Sequence, residues 1–331
     1  MPFSKKEVHQ EGIMGVLEIV LIVVGVLLLG GVVAMLAYTY PIAKHVYEDQ
    51  LVRTTPEKWG RTCSFPDDAE QVQMWHDGIA WMETNRNRVT ELQIENDGLK
   101  LFGEYFDFGS DRCVIILPGR CESLVYSYYF APPYEKAGFN ILVIDTRCHG
   151  KSDGKYNTIG VQESRDILAW AKLVHDQFGN KEIYFHGICI GTSSGLFALT
   201  SENCPDYMRG FVTEGCYISF PETFKRHMMA LNRPIFPVLQ LAMLQIYKHT
   251  GTNVYKHKPI KSIARVNPAC RVLFLYGEHD IFSIPEKSRQ LFNACSAQDK
   301  KLVWFEKGGH SHLRINNTEK YDQAIKDFFE R

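Results

Sequence analysis

The sequence predicts an α/β fold: a mostly parallel sheet with helices on both faces and a helical cap, preceded by one transmembrane helix. Three observations predict it. Short apolar runs rich in β-formers, at 113–117, 139–145, 183–185, 272–276 and 302–305, alternate with helix-length stretches, the pattern of strand–helix–strand units. A glycine-flanked cysteine follows one of these runs at once, in Gly187-Ile188-Cys189-Ile190-Gly191. Finally, residues 19–43 carry no charge.

A short polar terminus, 1–12, leads into a candidate transmembrane signal-anchor at 13–43. Residues 19–36 are almost wholly Val, Leu, Ile, Gly and Ala, and about 20 apolar residues cross a bilayer core. The run is longer than the h-region of a cleaved signal peptide, and Ala34-Met35-Leu36-Ala37 is a poor cleavage site. Tyr38 and Tyr40 suit a membrane interface. Lys5 and Lys6 precede the span, whereas Lys44, Arg53 and Lys58 follow it; the positive-inside rule leans towards a cytoplasmic body. Nine cysteines without a framework fit a reducing compartment.

Residues 44–88 form a polar juxtamembrane segment punctuated by Pro56 and Pro66. Within it, 67–85 reads as a helix with Val72, Trp75, Ile79 and Met82 on one face, set either against the domain or on the bilayer surface. The main domain, 89–331, begins with strands at 90–94 and 99–106 around the hairpin signal Asn96-Asp97-Gly98. The chain is 45% hydrophobic with a net charge of −1. It is long enough for a sizeable core and lacks the basic stripe of a nucleic-acid binder, so no nucleic-acid partner is expected.

The residues around Cys189 fit a nucleophile elbow, where a strained strand-to-helix turn exposes the nucleophile and requires small residues two before and two after it. Gly191-Thr192-Ser193-Ser194-Gly195 also fits G-x-S-x-G. Ser193, however, lies one turn into the predicted helix, so context favours Cys189.

Further motifs surround these runs. Pro118-Gly119-Arg120-Cys121-Glu122-Ser123 follows the strand at 113–117, and 123–136 reads as a helix. Asp145-Thr146-Arg147-Cys148-His149-Gly150 closes the next strand, and 160–178 reads as another helix. With Gly277-Glu278-His279-Asp280 and Gly308-Gly309-His310-Ser311-His312 near the end, the chain from residue 90 onward resembles the α/β-hydrolase superfamily. The likeness is to its cysteine-nucleophile variant, with a dienelactone hydrolase-like elbow and an esterase, lipase or thioesterase-type body. The resemblance implies a triad of Cys189, His310 as base and Asp280 as the orienting acid, with a closing helix at 319–331. Glu278 and His312 are the rivals for acid and base, which the family spacing and the Gly-Gly turn disfavour. It also implies an oxyanion hole from the N–H groups of Ile190 and Arg120, although Arg120 stands where the family usually has histidine. His149 and His186 read as structural.

A thiol beside an imidazole at a helix N-terminus is readily activated. The expected chemistry is therefore cleavage of an ester or thioester through an acyl-cysteine, with acyl transfer to another acceptor, or a catalytically inactive binding module, as alternatives. Residues 216–263 break the strand–helix alternation and read as a cap. The uncharged stretch 234–247 within it offers Leu239 and Met243 as walls of an apolar acyl pocket, or as ordinary packing. The expected partners are a small acyl ester or thioester and, through the first helix, a membrane. No dinucleotide, Walker or metal-ligand spacing stands out, so no cofactor or metal is expected.

Overall fold

The computed structural model describes residues 5–330, with side chains from residue 16 onward. Its first helix, α1 (Lys5–Leu51), exposes an apolar surface over residues 16–36 and then enters the body, where Ala43, Val46, Tyr47 and Leu51 are buried. The helix thus runs eight residues past the expected end of the span at 43. Pro41 lies inside it and costs one main-chain hydrogen bond. The lost bond is outweighed by packing of the following turns on the cap. Lys58 caps the far end, its Nζ donating to the carbonyls of Glu48, Asp49 and Val52 at 2.7–2.8 Å.

After α1 come α2 (Ala69–Thr84) and an antiparallel hairpin, β1 (Val89–Asn96) and β2 (Leu99–Phe106). Asp97 and Gly98 turn it with φ of 51° and 74°, as a tight hairpin turn requires. Next are β3 (Arg112–Leu117), α3 (Leu124–Tyr129), α4 (Pro132–Lys136), β4 (Asn140–Ile144), α5 (Glu163–Phe178), β5 (Glu182–Ile188) and α6 (Ile190–Leu199). The single helix expected at 123–136 is divided, because Pro132 and Pro133 cannot supply its hydrogen bonds. Then follow β6 (Met208–Glu214), cap helices α7 (Phe220–Ala230) and α8 (Val238–Thr250), and α9 (Pro259–Ile263). The chain closes with β7 (Arg271–Gly277), α10 (Pro285–Ala294), β8 (Asp299–Phe305), α11 (Leu313–Asn316) and α12 (Thr318–Phe329).

The eight strands form one sheet in the order β1-β2-β4-β3-β5-β6-β7-β8. Only the pairings of β2 are antiparallel; from β4 to β8 every pair is parallel. Alternate residues of each strand serve opposite faces. Ile115, Phe185, Phe211 and Phe274 pack under α5, α6 and α10 through Trp170, Leu196 and Leu291. On the other face Val114, Ile116, Leu273 and Leu275 pack under α2, α3 and α12 through Met74, Tyr128 and Phe328. The α2 stripe therefore meets the domain, with Met74 and Gly78 as its buried centre and Trp75, Ile79 and Met82 on the flank.

A third cluster joins α1 to the cap. Val46, Tyr47 and Leu51 meet Phe224, Met228, Ala242, Met243 and Ile246, and Tyr47 stacks on His249 at 5.5 Å. Leu239 and Met243 belong to this cluster and do not line the cavity described below. The uncharged stretch thus serves as a seat for α1 and contributes no residue to that cavity.

Candidate active site

Parallel strands end on one edge of a sheet, and there their loops converge. Cys189 directly follows β5 with φ 51° and ψ −114°, a conformation that L-residues hold only under strain. The flanking glycines are sterically required: a Cβ on Gly187 would lie 2.6 Å from backbone atoms of Gly191 and Thr192, and one on Gly191 would lie 2.3 Å from the Leu117 carbonyl oxygen. Ser193, the rival, is fully buried, and its hydroxyl is engaged with Tyr217 Oη at 2.8 Å and the Ile190 carbonyl at 2.8 Å.

The other two residues come from the loops after β7 and β8. His310 Nδ1 lies 2.7 Å from Asp280 Oδ2. Asp280 Oδ1 accepts the N–H groups of Phe282 and Ser283, each at 2.8 Å, which fixes the carboxylate. Burial alone would raise Asp280, but the facing His310 and these N–H groups outweigh it and hold the carboxyl below its usual range. Burial would lower His310; Asp280 and the Cys189 sulfur together raise it well above 6.5. His310 Nε2 is buried without a nitrogen or oxygen partner, and the ring, Cys189 and Arg120 line one cavity of about 400 Å³.

The rivals sit elsewhere. Glu278 is exposed. His312 turns its Nδ1 to the His310 carbonyl at 2.7 Å and its Nε2 to within 3.2 Å of the Asp68 carboxylate. His186 is buried beside Tyr321, and burial pushes it down to about 3.

Ile190 is the first residue of α6, where an N–H has no intrahelical acceptor. The loop carrying Arg120 is held at three points. Glu122 Oε2 accepts the Gly119 N–H at 2.8 Å, His149 Nε2 donates to the Arg120 carbonyl at 2.5 Å, and the Arg120 guanidinium donates to the Gln50 carbonyl at 2.9 Å. The last bond ties the loop to the end of α1, and Gln50 itself lines the cavity.

Sequence reasoning missed the cavity's remaining walls. His227 stacks on Phe282 with ring centroids 3.7 Å apart, and Phe282 meets His310 edge-on at 5.3 Å. Burial pushes His227 down to about 3, helped by Arg120 and His310. Phe65, Ala230 and Leu231 complete an apolar rim. The signal for His227 is the buried stripe Phe220, Thr223, Phe224 and Met228 on the same helix, but nothing in the sequence says that this helix covers the elbow.

A profile of the alpha/beta hydrolase fold matches residues 112–232. A Bacillus subtilis protein, YqkD, is 23% identical over 219 residues, covering 66% of this chain and 70% of that one. A Saccharomyces cerevisiae protein described as a membrane protein, YNL320W, is 21% identical over 305 residues, covering 91% and 94%. Among solved structures, the Pyrococcus furiosus esterase Pf2001 superposes with a TM-score of 0.63 at 22% identity, over 76% of this chain and 93% of that one. With the strand order and the strained, glycine-flanked turn after β5, these similarities identify the architecture: the chain has the α/β-hydrolase fold.

Proposed function

We propose that the protein is a membrane-anchored acyl hydrolase that cleaves carboxylic ester or thioester bonds through an acyl-cysteine intermediate on Cys189. The observation that best supports this is the imidazole of His310, held on Asp280 at 2.7 Å with no nitrogen or oxygen partner on Nε2 among the described residues, in the cavity that Cys189 also lines. His310 takes the Cys189 thiol proton, and the sulfur attacks the acyl carbon while Ile190 and Arg120 N–H groups hold the oxyanion. Collapse expels the alkoxide or thiolate, which takes a proton from His310. Water, deprotonated by His310, then attacks the thioester and releases the carboxylic acid and the free thiol. The raised imidazole favours the protonated ring that the first collapse needs.

Anchoring is supported by the exposed apolar run of α1 and by the yeast relative described as a membrane protein. The Pyrococcus esterase makes esters the first substrates to test. Purified full-length protein is expected to turn over activated esters or thioesters from a panel of acyl lengths, with Cys189→Ala at background. Wild type and Cys189→Ala equally inert across the panel would contradict the proposal. Product analysis with alcohol or amine present separates hydrolysis from acyl transfer.

A further inference from the structure

The cap differs in charge from the rest of the chain. Between residues 216 and 263 lie seven lysines and arginines and one acidic residue, Glu222, in a protein whose net charge is −1. Among the described residues, none of those seven side chains forms an ion pair or donates a side-chain hydrogen bond, while fourteen lysine or arginine ion pairs are found elsewhere. Lys225, Arg226 and Lys258 line one groove together with Glu222 and the exposed side chains of Met229 and Tyr255. One residue further on, Ala230 and Leu231 form the rim of the active-site cavity. Leu231 and Arg233 in turn line a smaller cavity together with Val46, Asp49 and Gln50 of α1. Phe236, 71% exposed, follows in the same loop. Cations without an ion-pair partner, interleaved with exposed apolar side chains, thus run from the groove, past the cavity mouth, to the helix with the membrane-length apolar run.

We propose that this face of the cap docks on the anionic leaflet at which α1 leaves the bilayer, so that the cavity opens onto lipid and receives acyl groups from amphiphiles resident there. The inference rests on α1 being a membrane span. Two features favour a lipid occupant. Lysines and arginines are drawn to an anionic surface while exposed aromatic and aliphatic side chains enter its headgroup region. In addition, α1 is joined to the body by packing and by the Lys58 and Arg120 bonds to its last turn, which sets the cap's attitude to the bilayer. Anionic lipids are concentrated in the cytoplasmic leaflet, so docking puts the body on that side.

The test is hydrogen–deuterium exchange of the full chain in nanodiscs of phosphatidylcholine alone and of phosphatidylcholine with phosphatidylserine. Phosphatidylserine is expected to slow exchange across 225–236 and 254–258 by about fivefold or more, the factor that one basic residue contributes at such a surface. High salt and the surface variant K225E/R226E/K258E should abolish the difference, with thermal unfolding of the variant unchanged. Incorporation into both discs with identical exchange overturns the docking and leaves the anchor standing. Failure to incorporate into either disc overturns both. Protection by polyglutamate in solution but not by phosphatidylserine would assign the face to an acidic protein and overturn the proposal.

Discussion

Cys189 occupies a backbone conformation, φ 51° and ψ −114°, that costs on the order of 1–3 kcal/mol for a residue with a Cβ. The strain belongs to the turn and not to the sulfur, so Cys189→Ala keeps it and Cys189→Gly relieves it. In urea or thermal unfolding, Cys189→Gly is expected to be more stable than Cys189→Ala by about 1 kcal/mol, since glycine's greater chain entropy offsets part of the relief. Both should lack turnover. His310 supplies the second test at this scale. Its proton is held more tightly in the folded protein than in the unfolded chain. Its stabilising contribution is therefore complete below about pH 6.5 and fades as pH rises through the elevated folded value. Asp280 is held the other way, below 3.8; its contribution is complete above that value and fades as pH falls through the lowered one. The loss of melting temperature in His310→Gln should thus be larger at pH 5.5 than at pH 9. A loss that is equal at both, or larger at pH 9, would contradict the assigned pair.

Among the elements, α1 has two halves with different duties: an exposed apolar half and a buried stalk. Residues 39–51 cover α8, where Ala242, Met243 and Ile246 have at most 2% of their surface exposed. Burying one large apolar side chain is worth about 1.5–3 kcal/mol, so uncovering Met243 and Ile246 removes several kcal/mol. A chain lacking residues 1–36 is expected to fold and unfold cooperatively. One lacking 1–51 should aggregate or melt far lower, as measured by soluble yield and differential scanning fluorimetry. The sequence does not disclose this division, because Pro41 and the polar residues Lys44, His45, Glu48, Asp49 and Gln50 mark a helix end locally and only the cap's apolar seat overrides them. Strand β6 was hidden for a similar reason. Gly210 interrupts its short apolar run, and a Cβ there would lie 2.3 Å from the Arg271 carbonyl oxygen; the neighbouring strand imposes the glycine and weakens the β signal.

For the molecule as a whole, what was legible is what backbone geometry forces on local sequence. The glycines at 187 and 191, the Gly277 to Asp280 loop and Gly308 in the turn before His310 announce the parts of the candidate site, because close approach and tight turns admit few residues there. What is spread over distant segments was not legible. The cavity takes Gln50 from α1, Phe65 and Gln71 from the stretch before the sheet, Leu231 from the cap and Phe282 from the acid loop, and no local pattern announces their meeting. The same holds for Leu239 and Met243, whose apolar character is plain but whose orientation towards α1 depends on tertiary packing. The resulting molecule joins the end of a membrane-length helix, through the Gln50 carbonyl and the Arg120 side chain, to the loop expected to hold the oxyanion.

The covalent intermediate is the step on which the functional proposal depends. Full-length protein mixed with an activated ester, quenched in acid and digested, should yield one acylated peptide spanning Cys189. The adduct should be absent in Cys189→Ala and should form far more slowly in Asp280→Asn, by a factor on the order of 10⁴ if the carboxylate acts as in other triads. Turnover with no acyl group on Cys189, or acylation that settles instead on Ser193 or Cys121, would contradict it.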